Sequence, residues 1–195
     1  MTELQATNRI LLSAGLPLVT AFDNAPEDAI RARELLRNHT EELVTQDWAF
    51  NTLEDVSISK DSEGGLYLPD EYAYASFYPQ TEREFSPAVV GRRILSRNGG
   101  TLPDPLRLKR VIVKVAWDEI PAAIQFFIIK LAENDFVSSV LGDPSLQQHT
   151  QETLGKAWND LQRYRVRTTP TPLFRVPEVL NRGHYQSSHR PSRMR

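Results

Sequence analysis

The sequence predicts an α+β fold. Two N-terminal helices and a long C-terminal helical hairpin make a helical bundle, with an inserted antiparallel β region and an extended C-terminal arm. Three observations predict it. Apolar residues recur at helical spacing over residues 1–47 and again over 118–164, whereas over 48–117 the period falls to two. No strand–helix–strand alternation runs along the chain, so a parallel sheet is not expected. The last 31 residues, 165–195, hold four prolines and seven arginines and suit neither a core helix nor a central strand.

The elements follow in order. Thr2 and Gln5 have capping-box spacing, and Leu4, Ile10, Leu11 and Ala14 follow on a helical period. Gly15 and Pro17 are stop signals. The second helix is expected to begin at NAPED, with Asn24 as its cap and Glu27 and Asp28 at its positive end, and to run to about Asp47. Its inner stripe is Ala29, Ala32, Leu36 and Leu43. Val56 and Ile58, then Leu66 and Leu68 beyond a DSEGG turn, alternate as strand residues do. Tyr72, Tyr74 and Phe77 suggest another strand, closed by Pro79. Residues 89–95 and 106–117 flank the turn-rich RNGGTLPDP, and in the second segment Val111, Val113, Val115 and Trp117 are expected to share a face. Asp118 and Pro121 open a third helix reaching about Leu141. Its AAIQFFIIKLA centre is apolar on nearly every side and calls for burial on nearly every side. Asp143-Pro144 starts a fourth helix with Leu146, Thr150, Leu154, Ala157, Leu161 and Tyr164 inward. So short a connection makes an antiparallel hairpin.

The domain organisation expected from this pattern is a helical body of residues 1–47 and 118–164, a β-rich domain of 48–117 and a basic arm of 165–195. The net charge of −2 conceals a division. Residues 163–195 carry eight arginines against one glutamate, and the rest of the chain is strongly acidic. An acidic body with a basic tail points to nucleic acid or to the acidic surface of another chain. The absence of cysteine excludes disulfides and thiolate metal sites. MTELQATNRILL has neither the basic start nor the apolar run of a signal peptide. The longest apolar stretch, 122–132, is far short of the ~20 residues that cross a bilayer, so no membrane partner is expected.

The chemistry-bearing residues have plainer readings. No glycine-rich phosphate loop, HExxH or GxSxG occurs. His39, His149, His184 and His189 show no spacing that puts two ligands on one face, so no metal or cofactor is expected. The carboxylate pairs Asp118-Glu119, Asp70-Glu71 and Asp61/Glu63 stand at a helix start and at turns. A glycosidase needs two carboxyls facing each other across roughly 5–10 Å, whereas adjacent residues point apart. Trp48, Phe50, Trp117 and Trp158 are read as core. In the arm, Phe174, Leu180 and Tyr185 suit anchors along a groove, and Arg175, Arg182, Arg190 and Arg193 suit partners for carboxylates on a neighbouring subunit.

With these elements in place, NRILLSAGLPLVT, a helix containing ARELL, and DWAFNT together resemble the start of the tail tubular protein A family. That family comprises the head-to-tail adaptors, or gatekeepers, of short-tailed bacteriophages. The residues that carry the resemblance are Gly15 and Pro17 in the first turn, then Trp48, Phe50 and Asn51 with Thr52, Asp47 standing where the family has glycine. Leu68-Pro69 and WDEIP, ending at Pro121, are similar to later family elements. The resemblance spans about residues 4–141 and implies a structural, non-enzymatic virion protein. It would form a ring, typically of twelve copies, between the portal protein and the tail nozzle protein. The ring would extend the DNA channel, help to retain the genome and seat tail fibres or spikes. A channel that passes DNA without sequence specificity is expected to have an acidic or mixed wall, because a basic one would slow the genome. Two other readings compete: a wall-degrading hydrolase, which needs converging carboxylates, and a DNA-binding virion protein, whose affinity would fall steeply with salt.

Overall fold

The computed structural model describes residues 1–140 and 144–168. Its helices are α1 (Glu3–Ser13), α2 (Glu27–Val44), α3 (Pro79–Phe85), α4 (Ala122–Val140) and α5 (Pro144–Thr168). Its strands are β1 (Thr52–Ile58), β2 (Tyr72–Phe77), β3 (Pro87–Val90), β4 (Arg93–Ser96) and β5 (Leu106–Val113). The strands form two small antiparallel sheets, ordered β1-β5-β2 and β3-β4. The fold is α+β.

One apolar cluster belongs to the helices. Ile10 and Leu11 of α1, the Ala29, Ala32, Leu36 and Leu43 stripe of α2, Ile124, Ile128 and Phe136 of α4, and Ala157 and Leu161 of α5 all bury into it. α4 lies within this cluster, and α1, α2 and α5 of the same chain pack around most of it. Most of the AAIQFFIIKLA stretch is therefore covered within the chain, while Phe126 stays exposed. A second cluster gathers Ile58, Leu66, Leu68, Phe77, Ile94, Leu106, Leu108 and Val111 between the two sheets and the loop beside them.

Several elements differ from expectation for identifiable reasons. The N-cap of α2 is Pro26 rather than Asn24, which has a left-handed φ of 56°, and the helix ends at Val44. Pro79 ends β2 but also occupies the first turn of α3, where a missing N–H costs no helical bond. Residues 87–96 are two strands, because Gly91 (φ 62°) makes a two-residue hairpin turn that the Val-Gly-Arg sequence allows. Leu66 and Leu68 are buried but form no strand. Leu66 C=O accepts from Ile94 N–H (2.8 Å) and Leu68 N–H donates to Arg92 C=O (2.8 Å), so this segment lies beside β4 while β1 pairs with β5. β5 stops at Val113 beside its partners' ends Thr52 and Tyr72, and Val115 and Trp117 pass to the helical cluster. A register shift around Lys109 lets Leu106, Leu108 and Val111 face the same cluster despite their unequal spacing. α5 continues through Arg165 and Arg167 to Thr168, so these two arginines are helical and not part of the arm. The 141–143 connection and residues 169–195 lie outside the described residues.

The α1–α2 pairing carries a pH signature. The Glu3 carboxylate accepts from Arg33 Nε (3.1 Å) and Nη2 (3.2 Å) and from Arg37 Nε (2.6 Å). Burial pushes the Glu3 carboxyl up, but the two guanidinium groups outweigh it and hold it below its ordinary value. The native state therefore binds fewer protons than the unfolded chain as pH falls through the carboxylate range. The stabilisation is complete above the unfolded value and is lost as pH falls through the lowered native one. Glu3→Gln is expected to cost about 1 kcal/mol at pH 7, kept small by the partial exposure of the site. Melting curves of both proteins between pH 7 and pH 3 should converge at the acid end; a gap independent of pH would show that the ion pairs contribute nothing.

Candidate assembly interface

The joint between helices and sheet is built at residues 43–52. Trp48 is buried, and its indole Nε1–H donates to Leu43 C=O (2.8 Å), closing the end of α2. Asn51 is 2% exposed, and its side chain is fully used. Its amide donates to Val44 C=O (2.6 Å) and Gln46 C=O (3.3 Å), and its Oδ1 accepts from Trp48 N–H (3.1 Å). Asn51 C=O then accepts from Val113 N–H (2.7 Å), tying the same turn to β5. Arg110 of β5 pairs with Asp47, and the Arg165 guanidinium lies 5.4 Å from the centre of the Trp48 ring, so α5 also reaches the joint. Phe50 packs on the helical cluster.

Two of the places where the outer surface bears apolar groups are the β3–β4 hairpin and the α4–α5 face. At the β3–β4 hairpin, Val89, Val90 and Leu95 are exposed. Between α4 and α5 a groove of about 380 Å³ is lined by Phe127, Leu131, Leu154, Gly155 and Trp158 with Gln151 at its edge. Trp158 is 49% exposed, and its ring sits 5.5 Å from that of Phe127. Trp158 is thus a surface aromatic and not the core residue the sequence suggested, because α5 turns Ala157 and Leu161 inward and leaves position 158 on the rim.

A model of the tail tubular protein family matches residues 4–171. The chain belongs to that family. No curated protein matches it.

A tail tubular protein is a structural component of the bacteriophage tail, located in the virion tail and assembled with other tail components. In this tail tubular protein the motif residues act as structure. Gly15 (φ 69°) takes the left-handed position after α1: Leu16 N–H donates to Leu11 C=O and Gly15 N–H to Leu12 C=O, both at 3.0 Å, the paired bonds of a Schellman stop. Pro17 is exposed in the following loop. Pro121 C=O accepts from Ile124 N–H (2.9 Å) and Gln125 N–H (3.0 Å), starting α4. Trp48, Phe50 and Asn51 form the joint. The arm residues Phe174, Arg175, Leu180, Arg182, Tyr185, Arg190 and Arg193 lie outside the described residues, as do His184 and His189.

The carboxylate pairs hold local structure. Glu119 accepts from Ala116 N–H (3.1 Å) at the short helical turn before α4. Asp70 pairs with Arg92 (2.7 Å), and Asp61 accepts from Glu63 and Gly65 N–H groups within its own turn. His39 lies between Asp135 (2.9 Å) and Glu42 (3.7 Å), linking α2 to α4. Among the described residues no group of three or more His, Cys, Asp or Glu is placed to hold a metal, and no helix is long and apolar enough to cross a membrane.

Three features escaped the sequence reading. Asn8 clamps the loop after α1, donating to Val19 C=O (2.8 Å) and accepting from Val19 N–H (2.9 Å). A polar residue beside the α1 stripe was the only signal. Glu133 is buried on α4, where burial pushes its carboxyl up and Lys130 at 2.5 Å opposes this. The α4–α5 groove brings Phe127 and Leu131 to Leu154 and Trp158, and nothing short of the helix packing puts them together.

Proposed function

We propose that this tail tubular protein is the head-to-tail adaptor: a ring, of twelve copies, seated between the portal protein and the tail nozzle protein. The ring extends the channel for passing DNA, helps to retain the genome and offers a seat for tail fibres or spikes. The family match over residues 4–171 carries this reading. Within each copy the reading divides the chain into a helical body (1–47 and 118–164), a β-rich domain (48–117) that projects from it, and a basic arm. The separate apolar clusters of the helices and of the sheets support that division, and the bond from Val113 N–H to Asn51 C=O ties the two parts together. The wall of the channel is acidic or mixed in charge, in keeping with the acidic balance of the chain before residue 163.

The arm clamps the ring. Phe174, Leu180 and Tyr185 anchor on a neighbouring subunit, the portal or the next copy, and Arg175, Arg182, Arg190 and Arg193 pair with its carboxylates. Neither apolar cluster includes a residue beyond Tyr164 among the described residues, so a chain ending at Thr168 is expected to keep its melting temperature. The same truncation should no longer join portal rings at moderate salt, as read by light scattering with and without portal and by electron microscopy of the joined rings. A truncated chain that still joins portals into stable, DNA-retaining heads would overturn the clamp. A full-length chain that stays monomeric beside its portal would overturn the adaptor reading itself.

A further inference from the structure

Gly155 stands inside α5, eleven residues past its start, where glycine weakens a helix for lack of a side chain and excess backbone freedom. Nothing among the described residues requires it: a Cβ built at Gly155 meets none of their atoms within 4 Å, and it is not among the positive-φ glycines. A glycine without a neighbour of its own marks a place where another backbone can approach closely. That place is the α4–α5 groove, floored by Phe127, Leu131 and Leu154 and walled by the half-exposed Trp158. One turn along α4 from Leu131 lies Asp135, whose carboxylate pairs with His39 of α2 at 2.9 Å.

We propose that the α4–α5 groove of one copy is the seat for the apolar stretch Leu173–Leu180 of a second copy's arm. This rests on the assembly reading above and names the surface it uses. The stretch LFRVPEVL supplies apolar side chains for the aromatic wall and Arg175 for the Asp135 carboxylate. Length favours a second copy over self-docking. Trp158 lies ten helical residues back from Thr168, about 15 Å, and Phe174 lies six residues beyond it, about 20 Å at full extension. Self-docking would therefore need a reversal within residues 169–172. Pro170 and Pro172 fix their own φ, and each restricts the threonine before it to extended backbone, so the chain there favours running on.

The chain has no cysteine, which makes directed cross-linking clean. Full-length chains carrying Gln151→Cys at the groove edge and Glu178→Cys in the arm are mixed one to one, with and without the portal ring, and oxidised mildly. The mixed disulfide dimer is expected at least tenfold above the dimer from Glu178→Cys paired with Glu82→Cys on α3. Gly155→Leu in the groove-bearing chain should lower it about tenfold while the melting temperature holds or rises, since leucine favours the helix. Retained cross-linking in Gly155→Leu would remove the close approach on which the groove was chosen. A double-cysteine chain that closes on itself as a monomer would show the arm seated on its own groove and overturn the second-copy occupant. Chains that still join portal rings without the mixed bond would overturn the groove and leave the adaptor reading standing; chains that join nothing would overturn both.

Discussion

Phe136→Ala is expected to lower the stability of this protein by about 3–5 kcal/mol, the range for emptying a fully enclosed aromatic site. Phe136 is 0% exposed on α4, in the cluster where α1, α2 and α5 meet that helix. Its removal leaves a cavity inside a close-packed cluster of helices, which relaxes only in part. For a chain of this size the loss corresponds to roughly 10 °C in melting temperature. Urea unfolding followed by circular dichroism gives the value directly, and the midpoint should move without a change in slope. The control is Trp158→Ala. Trp158 is half exposed, and its loss should cost the isolated chain about 1 kcal/mol or less. If the two substitutions cost the same, α4 is not the centre of the helical cluster.

The second large effect is expected at the joint. Asn51→Ala removes the donor to Val44 C=O and the acceptor for Trp48 N–H, leaving buried backbone groups unpaired. At about 1–3 kcal/mol for each stranded group, a loss of roughly 2–4 kcal/mol follows. Asn51→Asp should do no better than alanine. Its carboxylate still accepts from Trp48 N–H, but it cannot donate to Val44 C=O and it brings a charge into a site where the native side chain is almost wholly enclosed. Hydrogen exchange should quicken first over residues 44–52 and at Val113, whose N–H is tied to Asn51 C=O. Uniform quickening across the chain would mean that the joint is not a local unit. An assembly defect larger than the stability loss explains would show that the angle between helices and sheet matters to the tail.

Much of the helical part was legible because its signals are local. The Thr2/Gln5 box, the Gly15 stop and the α2 stripe each depend on residues within one or two turns, and each holds in the structure. The sheet was less legible. β1 pairs with β5 across some fifty residues, Thr52 with Ile112, and no local pattern distinguishes that partner from the nearer Leu66–Leu68 segment. Pro79 and Gly91 misled in different ways. Pro79 reads as the end of a strand yet starts a helix, and residues 89–95 read as one segment yet turn at Gly91 into a hairpin, because the residues after each continue as helix and as strand.

The sequence by itself determined the α+β class, the order of the long helices, the division between an acidic body and a basic arm, and the residues of the family motif. Periodicity, capping and charge are properties of neighbouring residues and need no knowledge of distant ones. Only the tertiary structure decided that α4 is mostly covered by its own chain, that Asn51 ties α2 to β5, and that Trp158 and Gly155 face outward over a groove. Burial depends on which elements meet, and the contacts that decide it join residues far apart in sequence. A half-turn of α5 would have hidden Trp158 and exposed Leu161 without changing a single local signal.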